Sequence, residues 1–285
     1  MRKYFASFLI TLYLFILQNA FAQSSDSIIL TDIAWDKSAP AGMNELLIPS
    51  GNSLLAGFIY KANGAEKHPT LLLLHGFPGN ERNLDLAQVV RAHGWNVVYF
   101  DYRGSWGSQG QFSFANCVED VKNAVAYCKK NADSLRIDTT NIVLFGHSMG
   151  GWICLKSLSQ IQGIKKGFAL STWDIAGTMK NVKTEEQMMK FAKENGEYFV
   201  LNTSLKNLYQ PVIMNRSYYD LTKDADALAN KQIIMLDEHP WNKEIASAIQ
   251  NANKSYFEYG VWETDHPFTN KRVALIKKVI AFLDK

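Results

Sequence analysis

Cysteine is scarce in this chain: Cys117, Cys128 and Cys154 are the only three in 285 residues. An odd number makes a poor disulfide framework. Cys117 and Cys128 fall on one expected helix, eleven residues apart, which is roughly 16 Å along the axis and too far to bridge. All three are expected as buried, small apolar side chains. Metal-binding motifs are missing as well, with no His-Glu-x-x-His and no paired Cys pattern, so no metal site is indicated. Charge is nearly balanced, at +3 overall, and no basic run or stripe interrupts it. That argues against nucleic acid as a partner.

Long apolar runs are also few, and the longest lies at the N-terminus. Arg2 and Lys3 precede an apolar stretch from Tyr4 to Leu17, and Ala20-Phe21-Ala22 then offers a small-x-small cleavage site before Gln23. This is the pattern of a secretory signal peptide over residues 1–22. The competing reading is a membrane anchor, but the run is shorter than the ~20 residues a spanning helix needs and no basic stop-transfer cluster follows. No cysteine follows the cleavage site either, which weighs against a lipoprotein anchor. The expectation is export to the periplasm or the exterior, with no stable membrane anchor after cleavage. Residues 23–285 then fit one large α/β domain carrying an insertion.

What the sequence does contain centres on Gly146-His147-Ser148-Met149-Gly150-Gly151. An apolar run of strand length, Asn141 to Phe145, precedes it, and a helical pattern from Trp152 to Leu158 follows. A Gly-x-Ser-x-Gly turn between a buried strand and a helix puts a serine on a sharp, strained corner. Gly146 and Gly150 must be small for strand and helix to approach. The Met149 amide then points towards the same space as the serine hydroxyl. On these residues the chain resembles the α/β-hydrolase superfamily, in its esterase and prolyl-oligopeptidase-like branches. The resemblance implies a mostly parallel sheet with helices on both faces.

The rest of the chain supports that order. Glu45 to Pro49 and Leu54 to Lys61 read as a hairpin joined by Ser50-Gly51-Asn52-Ser53. Thr70 to His75, Asn96 to Asp101, Ile142 to Phe145 and Lys166 to Ser171 read as strands alternating with helices, which suits a parallel sheet. His75-Gly76-Phe77-Pro78 resembles the family's turn after its third strand, where the amide after His-Gly is an oxyanion donor; this assigns Phe77 alongside Met149. His75 is expected to order that turn. Asp101-Tyr102-Arg103-Gly104 with Gly107 and Gly110 resembles the family's Asp-Tyr-Arg-Gly loop, and it lacks the start and the following helix of a phosphate-binding loop. Arg103 is expected as an ion-pair partner, and Trp106 and Trp173 as candidates to line a substrate pocket. From about residue 172 to 230 the alternation stops. A capping-box pattern at Thr184-Glu185-Glu186-Gln187 opens a helix there, so a mainly helical lid is expected.

A serine hydroxyl needs a base in reach, and the base needs a third group to fix its tautomer. The family order of serine, acid, histidine assigns Ser148, Asp237 and His266. His266 lies in Asp265-His266-Pro267-Phe268, which resembles the family's histidine loop; His239 is its rival. The acid is open. The glycine that usually separates strand from acid is missing, so Asp237 is favoured, with Glu238 and Asp174 as alternatives. A serine triad needs no cofactor. The function expected is hydrolysis of a small-molecule acyl ester through an acyl-enzyme. A serine peptidase acting on short peptides is the alternative, and a non-catalytic binding protein on the same scaffold is a more remote one.

Overall fold

The computed structural model describes residues 32–33, 35–194 and 199–285. The expected signal peptide, residues 1–22, lies outside them. The first elements are the hairpin β1 (Gly42–Ser50) and β2 (Ser53–Lys61), then β3 (His68–Leu74), α1 (Leu84–Ala92), β4 (Asn96–Phe100), α2 (Phe114–Lys130) and β5 (Ile137–His147). They are followed by α3 (Met149–Gln160), β6 (Lys166–Leu170), a set of helices to residue 224, β7 (Gln232–Asp237), a helix at Lys243–Ala252, β8 (Tyr256–Val261) and a helix at Arg272–Leu283.

The eight strands form one sheet in the order β1-β2-β4-β3-β5-β6-β7-β8. β1, β2 and β4 pair antiparallel, and every pair from β4 onward is parallel. This is the mostly parallel sheet that the resemblance implies. The central strands read as unbroken apolar runs because both faces are covered. On one face, α1 and the C-terminal helix bury Val90, Ile276 and Ile280 against Val97, Phe145 and Phe168. On the other, α2 and α3 bury Val121, Trp152 and Leu155 against Leu72, Leu144 and Ala169.

The α2 helix shows how local sequence sets an element. In α2 the Ser113 hydroxyl accepts the Asn116 amide at 3.1 Å, capping the first turn. Phe114, Cys117, Val121, Ala124 and Cys128 recur at helical spacing on its buried face, and Lys129 and Lys130 sit in the last turn, where the helix dipole favours cations. All three cysteines are free and buried.

Among the described residues between β6 and β7 lie four α-helices, α4 (Ile175–Thr178), α5 (Glu185–Glu194), α6 (Leu205–Met214) and α7 (Arg216–Tyr219), followed by a 3-10 turn at Leu221–Asp224. The helix at Lys243–Ala252 is α8 and the C-terminal one α9. The α4–α7 segment is fastened in its middle and at its end. Its 200–202 stretch bonds to the loop after β4 through Trp106 N to Val200 O, Phe112 N to Asn202 O and Asn202 N to Gly104 O. Further on, Trp152 donates its indole N–H to Tyr219 O at 3.0 Å and stacks on that ring. Lys156, almost fully buried, pairs with Asp224 at 2.8 Å.

The loop after β4 is held by Arg103. Its Nε donates to Asp120 Oδ1 at 2.5 Å and its backbone amide to Asp120 Oδ2 at 2.8 Å, while Ser50 Oγ also donates to Asp120. Asp120 is fully buried and Arg103 only 11% exposed. Removing Asp120 would leave the largely buried Arg103 with only the exposed Glu119, at 2.7 Å, as a counter-charge. Asp120→Ala should therefore lower stability by about 3 kcal/mol in urea denaturation. A change under about 1 kcal/mol would mean that the pair is screened like a surface one.

Candidate active site

The parallel strands β3, β5, β6 and β7 end side by side, and the predicted residues lie along that carboxyl edge. Ser148 sits between β5 and α3 with φ 60° and ψ −119°, a left-handed conformation that costs a residue with a Cβ on the order of 1–3 kcal/mol. The surroundings over-determine it. Ser148 N donates to Leu170 O at 2.8 Å, and Ser148 O accepts the amides of Gly151 and Trp173 at 2.9 and 3.0 Å. The glycines act by close approach. A Cβ on Gly146 would lie 1.9 Å from Gly150 O, and one on Gly150 would lie 1.9 Å from Leu74 O. A Cβ on Gly76 would come within 3.1 Å of the Ser148 Cβ, so the His75-Gly76-Phe77 turn presses directly on the serine. Met149 is the first residue of α3, and a helix leaves its first amides without internal partners.

His75 holds the opposing turn. Its Nδ1 donates to Gly76 O at 2.8 Å, and burial pushes its pKa down to about 4. Trp106 does not line either cavity that Ser148 lines. It donates its indole N–H to Pro78 O at 2.7 Å and carries the Arg82 guanidinium over its ring, so it braces the turn. Of the two expected tryptophans, Trp173 is the one at the pocket, and it borders both cavities.

His266 follows β8. Its Nδ1 donates to Glu238 Oε1 at 2.7 Å, and Ser171 Oγ donates to Glu238 Oε2 at 2.5 Å. The histidine is therefore paired with Glu238, not with the favoured Asp237. The physical reason is register. β7 continues through Asp237, which pairs with Val261 of β8, and successive side chains on a strand point to opposite faces. The Asp237 side chain is buried, with Oδ2 accepting Asn242 Nδ2 at 3.1 Å. Glu238, the first residue past the strand, turns towards His266. The alternative acid Asp174 is also accounted for: it caps α4 by accepting the Gly177 amide at 2.8 Å. The rival histidine, His239, packs its ring on Trp241.

The two adjacent carboxyls titrate in opposite directions. Burial pushes Glu238 up, but hydrogen bonds from His266 and Ser171 outweigh it and hold the group down at about 2. Burial raises Asp237 to about 6, only partly opposed by the Asn242 hydrogen bond. A donated Nδ1–H leaves the lone pair of a neutral His266 on Nε2, as a general base requires.

Ser148, Glu238 and His266 border one cavity of about 540 Å³, with Trp173, Lys180 and Trp241 on its walls. It shares Asp174, Lys180 and Glu244 with a neighbouring polar cavity of about 440 Å³. On the other side of Trp173, Ser148 borders a smaller aromatic cavity of about 280 Å³ lined by Phe77, Phe191 and Tyr209. Among the described residues no group of three or more His, Cys, Asp or Glu is placed to hold a metal ion.

Two participants escaped the sequence reading. Ser171, at the end of β6 with φ 46°, is visible in the sequence only as a serine closing the strand beside β5. His147 stood inside the Gly-x-Ser-x-Gly motif, but at a position the motif leaves free.

A family model described as BD-FAE matches residues 59–250. The Escherichia coli O157:H7 protein YfhR is 29% identical over 142 residues, covering 48% of this chain and 49% of its own. The chain thus spans about half the length of the curated relatives it matches. Among solved structures, the Pyrococcus furiosus esterase Pf2001 superposes with a TM-score of 0.62 at 19% identity, over 89% of this chain and 95% of its own. The Pyrococcus horikoshii acylaminoacyl peptidase reaches 0.65 at 14% identity, over 86% of this chain and 41% of its own. At those identities both likenesses speak to the fold.

The opposed carboxyls give a pH test. The folded state keeps its proton on Asp237 up to about pH 6, whereas the unfolded chain releases it near 3.8. Stability tied to this group is complete below the unfolded value and is lost as pH rises through the folded one. Relative to Asp237→Asn, the natural protein should lose about 2–3 kcal/mol between pH 4 and pH 7 and none above. Urea titrations of both proteins across that range check this, and parallel curves would contradict it.

Proposed function

The chain belongs to the BD-FAE family of α/β-hydrolases, and from that premise we propose that it is a serine hydrolase acting on carboxylic esters. Ser148 attacks the acyl carbonyl. His266 takes the hydroxyl proton through Nε2 and then delivers it to the departing alcohol. Glu238 holds the imidazole in that tautomer and stabilises the imidazolium. The amides of Met149 and Phe77 receive the oxyanion, where each donor is worth about 3–4 kcal/mol. Water then attacks the acyl-enzyme with His266 again as base. The observation that carries this reading is that Ser148, on a strained strand-to-helix corner, shares a cavity with a histidine whose Nδ1–H is held by a carboxylate.

The surroundings favour an ester over a purely binding role. An aromatic cavity and a larger one of mixed lining meet at Ser148, matching an acyl group on one side and an alcohol on the other. The α4–α7 segment acts as the cover of the site, contributing Phe191 and Tyr209 to its aromatic side. The segment at residues 1–22 is the basis for proposing export. N-terminal sequencing of the mature protein tests that point, with Gln23 as the expected first residue.

The enzymatic test is hydrolysis of p-nitrophenyl acetate and butyrate beside a panel of aminoacyl and dipeptidyl p-nitroanilides. Ester turnover should vanish in Ser148→Ala. Glu238→Gln should lower kcat about a hundred- to ten-thousand-fold, while Asp237→Asn stays within about tenfold. Serine-dependent cleavage of the anilides with silent esters would make the protein a peptidase. Equal losses in the two carboxyl variants would contradict the assignment of Glu238.

A further inference from the structure

We propose that His147 is a positioning residue, which holds His266 in register with Ser148 by donating a hydrogen bond to the His266 backbone carbonyl; the inference rests on the acyl-transfer reading above. His147 closes β5, next to the nucleophile, and is 2% exposed. Its Nε2 lies 2.9 Å from His266 O. A carbonyl only accepts, so His147 must carry its proton on Nε2. The two imidazole rings also pack together, with centroids 4.8 Å apart and planes at 36°.

His266 needs such an anchor. Its side chain is half exposed, so packing alone restrains it little. The bond to Glu238 sets the rotation of the ring but not the height of the backbone that carries it. His147 grips the carbonyl of residue 266 and Arg272 that of residue 267, at 3.1 Å. Of the two, only His147 belongs to the same strand end as Ser148. Any movement of β5 is thus passed to both partners of the proton transfer together. Misplacing reacting groups by about 1 Å can cost on the order of a hundredfold in rate.

A neutral imidazole suits the place. Burial, and secondarily the neighbouring His266, keep the His147 pKa down at about 4. It therefore supplies a donor without adding a positive charge beside the imidazolium that His266 becomes during turnover. An ordinary lysine or arginine donor here would oppose that charge.

The test pairs His147→Phe, which keeps a ring but loses the donor, with His147→Gln, which keeps a neutral N–H. On p-nitrophenyl acetate, His147→Phe should lower kcat about tenfold or more while KM stays within about twofold, and His147→Gln should recover to within about threefold of the natural protein. Full activity in His147→Phe, a loss confined to KM, or a glutamine variant as impaired as the phenylalanine one would overturn the proposal. The carbon and nitrogen shifts of His147 in the unmodified protein give a measurement that needs no variant. The Nε2–H tautomer is expected, and the Nδ1–H tautomer would refute the hydrogen bond. An absence of serine-dependent turnover in the natural protein would instead sink the acyl-transfer reading, whatever the tautomer.

Discussion

The structure depends on one strained residue. Ser148 occupies a positive-φ conformation that a residue with a Cβ adopts only when its neighbours leave no better choice. Here three things remove the choice. Main-chain bonds tie Ser148 to Leu170 and Trp173, glycines at 146 and 150 let β5, α3 and β3 meet at backbone contact, and Trp152 locks α3 to the segment beyond β6. The sheet, the helix and the α4–α7 segment are thus fixed around the same corner. The loops that carry Phe77, Glu238 and His266 follow β3, β7 and β8, strands of the same parallel sheet as β5.

A second constraint follows from strand alternation. Residues 237 and 238 are both acidic, and chemistry alone does not rank them. The length of β7 does. Because pairing with β8 persists through Asp237, that side chain is buried at the floor of the cavity, bonded by Asn242, and its pKa rises. Glu238 leaves the strand and meets two donors, Ser171 and His266, which keep it ionised. Two neighbouring carboxyls are thus pushed in opposite directions, Asp237 towards holding its proton and Glu238 towards losing it, through geometry that one extra strand residue sets.

The sequence disclosed the parts whose chemistry demands particular residues. Glycine at backbone contact, serine on the corner and apolar runs in strands buried on both faces have few substitutes, so the fold and the corner are legible, and the loop that carries His266 lies at the cavity that Ser148 borders. The acid is not legible, because sequence marks a strand end only to within a residue or two, and one residue reverses which way a side chain points. Trp106 was misjudged for a different reason: a tryptophan beside a site can equally brace it, and only the bond to Pro78 O decides. Ser171 and His147 act through single hydrogen bonds made across the sheet edge, and such pairings leave no trace in local spacing.

The central claim is that Ser148 is a nucleophile activated through His266 and Glu238. The direct measurement is the rate and position of labelling by a fluorophosphonate, followed by intact-mass analysis and peptide mapping. The account predicts one adduct per chain, on Ser148, forming much more slowly in His266→Ala and in Glu238→Gln. An unlabelled Ser148, or labelling at the same rate in all three proteins, would contradict it.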